Sequence, residues 1–137
     1  MTTSQTNPLG PGYEGVAGSE MRFRDIFRDT LRAEMNRDDD VFLMGEDISG
    51  GFDKDTKEPL DAWGGPFAAT KGLVQEFGVE RIRDAPISEA GFVGAAVGSA
   101  LTGMRPVVDL MYFDFVTVAF DQLLSNAAKS RYMFGGQ

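Results

Sequence analysis

The stretch RIRDAPISEAGFVGAAVGSALTGMRPVVDLM, residues 81–111, reads as strand, helix, strand, and that order decides the fold. A short strand is predicted through Arg81 to Ala85. Ser88 then stands where a helix N-cap belongs, and Glu89 falls in the first turn, where the positive end of the helix dipole favours an acid. The helix is predicted from about Ser88 to Gly103, and Pro106 to Met111 forms a second strand. Two strands joined by a helical crossover of this length run parallel, because a tight hairpin turn is not available to them.

Outward from this unit the same alternation continues. Phe23, Ile26, Phe27, Leu31 and Met35 recur at helical spacing, which predicts a helix over 21–36. The acids Asp38, Asp39 and Asp40 end it. Val41, Phe42, Leu43 and Met44 form an all-apolar run, the pattern of a strand buried on both faces. Residues 49–65, SGGFDKDTKEPLDAWGG, are rich in turn formers and predict a long surface loop. A helix is expected from Pro66 to Phe77, and a last one from about Phe115 to Tyr132. The fold class predicted is α/β: a doubly wound, mostly parallel sheet with helices on both faces. Ligands in such sheets lie at the carboxyl ends of the strands. Glu46, Glu89 and the segment Tyr112 to Phe115 each follow a strand, so all three are expected at one edge.

Composition narrows the chemistry. The 137 residues carry a formal net charge of −8, which disfavours a nucleic-acid partner, since a phosphate backbone selects basic surfaces. There is no cysteine and no histidine, which removes disulfides, thiol nucleophiles, any serine–histidine triad and most transition-metal sites from this chain. Catalysis here has to use carboxylates, backbone or a borrowed cofactor. The longest uncharged stretch, Ala90 to Met104, is too short to span a bilayer, which takes about 20 apolar residues. The leader, residues 1–18, has no apolar periodicity and no basic or apolar targeting pattern, so it is expected to be flexible and the protein cytoplasmic, with no membrane partner.

From Arg83 to Gln137 the sequence closely resembles the beta subunits of thiamine-diphosphate-dependent 2-oxoacid dehydrogenases, and DAWGG with FDQLLSNAAKSRYMFGG resembles the acetoin dehydrogenase branch. Within it Glu89, Gly94, Ala95 and Gly98 are similar to the pattern of the pyrimidine-binding domain of thiamine-diphosphate enzymes. The resemblance implies a pyrimidine-binding domain over 19–137, incomplete because the family's carboxyl-terminal domain is absent. It implies a subunit of the decarboxylating component of a 2-oxoacid (pyruvate-type or branched-chain) or acetoin dehydrogenase. Its expected partners are an alpha subunit, a second beta subunit and a lipoyl-bearing acyltransferase. Thiamine diphosphate is expected to be shared with the alpha subunit. No GDG motif occurs in the chain, so the alpha subunit is expected to hold the magnesium ion.

The resemblance also assigns roles. Glu89 is the carboxyl that exchanges a proton with the far pyrimidine nitrogen, turning the cofactor's amino group into a base. Among Phe92, Met111 and Phe115 it is expected to be poorly solvated. Without the motif it reads as an ordinary first-turn acid. Met111 and Phe115 match positions that wall the pyrimidine ring, where stacking on an aromatic contributes about 0.5–1.5 kcal/mol beyond burial; otherwise both read as core. Glu46 matches an acidic position in a polar path between paired sites, or is a solvated acid in MGED. Gly91, Gly94, Ala95 and Gly98 make a small-residue stripe that admits a partner helix or packs within the domain. A second reading of the whole is a non-catalytic remnant that keeps only its subunit surfaces.

Overall fold

The computed structural model describes residues 22–50 and 63–136. The flexible leader expected over residues 1–18, and most of the loop expected over 49–65, lie outside the described residues. Helix α1, Phe23–Arg37, is followed by strand β1, Val41–Gly45, helix α2, Leu73–Phe77, strand β2, Ile82–Asp84, helix α3, Glu89–Leu101, and strand β3, Arg105–Asp109. The three strands make one parallel sheet in the order β2-β1-β3. The expected α/β architecture is present, with helices on both faces.

The alternation of side chains along the central strand separates the two layers. Val41 and Leu43 of β1 pack with Leu31 and Met35 of α1, Leu73 and Val74 of α2, and Ile82 of β2. Met44 turns to the other side, where Phe92 and Val93 of α3 meet Ala119 and, from β3, Val108. The all-apolar run at 41–44 is therefore explained: β1 has neighbours in the sheet on each side and helices above and below. Phe92, expected beside Glu89, instead fills the core under α3, at 5% exposure.

Arg81 joins the elements of the first layer. Its Nη2 donates to the carbonyls of Met35, Asp38 and Val41 at 2.9, 2.7 and 2.7 Å, and its guanidinium lies 5.3 Å from the centre of the Phe77 ring. The Met35 carbonyl in the last turn of α1 and the Asp38 carbonyl just beyond it are thereby given a donor that the helix itself does not supply.

Two predicted helices differ. The one expected over 66–77 shrinks to α2, because residues 65–72 form turns. Gly72 precedes α2 at φ 84°, and Ala68 has φ 52°, values no α-helix contains. The helix expected over 115–132 is subdivided: a 3₁₀ turn at Phe113–Phe115, α4 at Val116–Asp121, a π-helical turn at Gln122–Ala127, and α5 at Ala128–Met133. Gln122 at the start of the π turn lies under Gly94, where an added Cβ would come within 3.0 Å of its Oε1. Among the described residues no helix is long and apolar enough to cross a membrane.

Candidate active site

The strands end together. Gly45 of β1 is in register with Asp84 of β2 on one side and Asp109 of β3 on the other. Whatever follows each strand therefore leaves from a single edge, as a parallel sheet requires of its ligand-facing end. Glu46 follows β1 directly. Ser88 and Glu89 open α3 after β2, and Leu110 to Phe115 continue from β3. Ser88 occupies the N-cap as expected, although its side chain makes no capping hydrogen bond.

Two of the expected residues are electrostatic neighbours. Glu46 is half-buried, and burial is the main cause that pushes its carboxyl above the ordinary value of 4.5; the negative charge of Glu89 adds to this, then that of Asp47, while the Ser88 backbone N–H works the other way. Burial and a nearby like charge both penalise the ionised form. Its Oε1 is buried and has no hydrogen-bond partner among the described residues. A buried carboxylate oxygen without a partner carries a desolvation cost, and residues at functional sites commonly bear such costs.

Met111 and Phe115 lie beyond β3. Met111 is half-buried and has φ 61°, a left-handed backbone that costs a non-glycine residue roughly 1–2 kcal/mol. Phe115 is 37% exposed. Between them Tyr112, expected at this edge but given no role of its own, stacks edge-on against Phe115 at 5.8 Å and against Phe67 at 5.2 Å, so three aromatic rings form a ladder. The YFDF run gave a signal for Tyr112; nothing local pointed to Phe67, which comes from the turn before α2.

A cavity of about 900 Å³ opens between the start of α1, the 66–70 turn and the end of β3, lined mainly by apolar side chains including Phe27, Phe67, Leu110, Met111 and Tyr112. It takes in Met111 but neither Glu46, Glu89 nor Phe115. The structure thus brings the two carboxylates together and joins Met111 to Phe115 through Tyr112, as two groups on one sheet edge. Ser49, fully buried, reaches across that edge: its N–H donates to Asp84 Oδ1 at 2.9 Å and its hydroxyl to Asp84 Oδ2. Among the described residues, no three or more histidine, cysteine or acidic side chains converge as metal ligands.

The small-residue stripe divides. Gly94 packs against Gln122 of the same chain, whereas no described residue lies within 4 Å of a Cβ built on Gly98. Ala95 and Gly98 are exposed.

A three-stranded parallel sheet, a glutamate opening the helix that crosses it and an aromatic segment beyond the third strand define a parallel α/β domain with its candidate residues along one strand edge. The chain belongs to the family described as the transketolase pyrimidine binding domain, whose pattern matches residues 19–135. Among particular relatives, it is 49% identical over 113 residues to the acetoin:2,6-dichlorophenolindophenol oxidoreductase subunit beta of Bacillus subtilis, covering 82% of this chain and 33% of the relative. It is 50% identical over 109 residues to the protein of the same description from Cupriavidus necator, covering 80% and 31%. With the pyruvate dehydrogenase E1 component subunit beta of Rhizobium meliloti it shares 43% over 123 residues, covering 90% and 24%. The chain spans about a third or less of the length of these relatives.

Proposed function

We propose that the chain supplies the aminopyrimidine half of a thiamine diphosphate site, as the beta subunit of the decarboxylating component of a pyruvate-type, branched-chain or acetoin dehydrogenase complex. The observation that carries this reading is the proximity of Glu46 to Glu89 at the common strand edge, with Glu46 Oε1 buried and without a hydrogen-bond partner among the described residues. Such an oxygen suits a proton path better than a surface acid, and it favours the catalytic reading over a remnant that keeps only subunit contacts.

The described residues fit the pyrimidine side of the cofactor: carboxylates for a ring nitrogen, and apolar and aromatic side chains at Met111 and Phe115 for the ring faces. The cofactor, when bound, supplies a nucleophilic carbon for attack on a substrate carbonyl. The chain's own residues handle the proton and the geometry. Glu89 exchanges a proton with the ring nitrogen. Glu46, its carboxyl pushed upward by burial and by Glu89, keeps a proton to higher pH than an exposed acid and can pass it on to Glu89. Met111 and Phe115 hold the ring and keep water from it. Magnesium and the diphosphate fall to an alpha subunit, the exposed Ala95–Gly98 face of α3 to a second beta subunit, and the product to a lipoyl-bearing acyltransferase. The acceptor of this oxidoreductase is then a disulfide, and its compartment the cytoplasm. Residues 19–137 form the pyrimidine-binding domain behind a leader at 1–18.

Co-expression of the protein with an alpha subunit tests this. Consumption of acetoin or a 2-oxoacid, read with an artificial electron acceptor, is expected only when both chains and thiamine diphosphate with magnesium are present. Turnover by either chain alone refutes the shared site.

A further inference from the structure

The chain beyond β3 turns on one side-chain hydrogen bond. Asp109 ends β3 opposite Gly45, and a Cβ on Gly45 would stand 2.9 Å from the Asp109 carbonyl oxygen and 3.0 Å from its Cβ. The bare glycine lets β1 and β3 close on Asp109 and fix it. From there Asp109 Oδ1 accepts the backbone N–H of Met111 at 2.8 Å, an Asx turn. Met111 is one of three non-glycine residues with positive φ among those described, with Asp47 and Ala68. Left-handed backbone persists at such a residue only where its surroundings hold it. The acceptor on Asp109 does so here, and the conformation it holds sends the chain on into the Tyr112–Phe115 ring pair.

We infer that Asp109 is a positioning residue for the aminopyrimidine wall: through the Met111 N–H it maintains the left-handed turn that presents the Met111 side chain to the cofactor. The inference rests on the proposal that Met111 contacts the cofactor. Its chemistry is specific. The turn needs an acceptor oxygen two residues before the strained amide, and it does not need a charge. Asparagine at 109 therefore suffices, and alanine does not.

The test compares thiamine diphosphate affinity, followed by fluorescence quenching, in the assembled enzyme carrying Asp109→Ala, Asp109→Asn, Met111→Ala or the double alanine change. Asp109→Ala is expected to weaken binding by about fivefold to tenfold, the worth of one ordinary hydrogen bond. Asp109→Asn is expected to stay within about twofold of the parent. The double variant should bind like Met111→Ala alone, because the turn matters only through the side chain it presents. If Met111→Ala weakens binding and Asp109→Ala does not, the positioning role is overturned while the wall at Met111 stands. If Met111→Ala binds like the parent, the wall itself fails and the positioning role with it. Asp109→Asn matching Asp109→Ala overturns the acceptor mechanism in favour of charge. Should Asp109→Ala fail to assemble, the asparagine variant still decides, since loss of affinity there contradicts the inference.

Discussion

Replacing Glu89 by glutamine keeps the length and shape of the side chain and removes its ability to exchange a proton. If Glu89 has the role proposed, turnover of the assembled enzyme falls by about 10² to 10⁴, the usual worth of one positioned proton-transfer group. At about 1.36 kcal/mol per tenfold change this is roughly 2.7–5.4 kcal/mol of transition-state stabilisation. The structure adds a second expectation of opposite sign. Glu89 is one of the two like charges that raise the Glu46 carboxyl, so the substitution relieves a repulsion and the folded chain should lose no stability at neutral pH. Burial, the larger cause, remains, so the Glu46 carboxyl moves only part of the way back. The assay pairs turnover with an artificial electron acceptor and thermal unfolding of the same preparations. Turnover within about twofold of the parent removes Glu89 from the mechanism. A loss of turnover that follows a loss of melting temperature is equally damaging, because it makes Glu89 a structural residue.

Glu46→Gln should stabilise the chain at neutral pH. A carboxyl raised in the folded state binds protons more tightly there than in the unfolded chain, so stability is fullest below the ordinary value of 4.5 and declines as pH rises toward the folded value. Denaturant midpoints of parent and variant should therefore converge below that pH and separate above it, and a constant gap contradicts the assignment. Gly98→Leu enters space free of described residues, so the isolated chain should melt no lower than the parent while its association with a second beta subunit breaks down on size exclusion; an intact beta–beta association removes this face from the interface. Gly94→Leu is a poor probe of that interface, since it strikes Gln122 within the chain. Arg81→Ala should cost about 2–4 kcal/mol in urea unfolding, because charged donors to three carbonyls are lost together, and Arg81→Lys should recover less than half, lacking the planar fork. A cost under about 0.5 kcal/mol would remove Arg81 as a structural tie.

Much of the scaffold was legible because its signals are local and repeated. The all-apolar run at 41–44 marks a strand whose burial follows from its central place in the sheet, and the stretch from Pro106 marks β3, although β3 stops at Asp109 short of the expected Met111, whose left-handed backbone leaves the strand; the spacing of Phe23, Ile26, Phe27, Leu31 and Met35 found α1. The strand ends alone place Glu46 and Glu89 at one edge, since a parallel sheet leaves little choice. What escaped depends on backbone detail. Gly72 within the predicted helix 66–77 was the available warning: a residue at φ 84° belongs before a helix and not inside one. The π turn at Gln122–Ala127 leaves the apolar spacing of the last helix almost unchanged and is invisible to a periodicity test. The aromatic ladder requires Phe67 to come from a turn some 45 residues before Tyr112, a juxtaposition no local pattern contains. The hydrogen bond from Met111 to Asp109 is short in sequence, yet the positive φ that makes it matter has no mark in a Met.

The reach of Arg81 also bears on the order in which the chain can acquire its shape during synthesis. Its partners Met35, Asp38 and Val41 precede it by 46, 43 and 40 residues. When the first helix and first strand have left the ribosome, the donor that completes their corner has not yet been made. At roughly 5–20 residues per second that corner waits some seconds for its donor, although the Asp38 carbonyl already accepts the Val41 N–H at 3.3 Å. The core of the first layer, which includes Ile82, is therefore complete only once β2 has been translated, tying the packing of α1 to a distant residue.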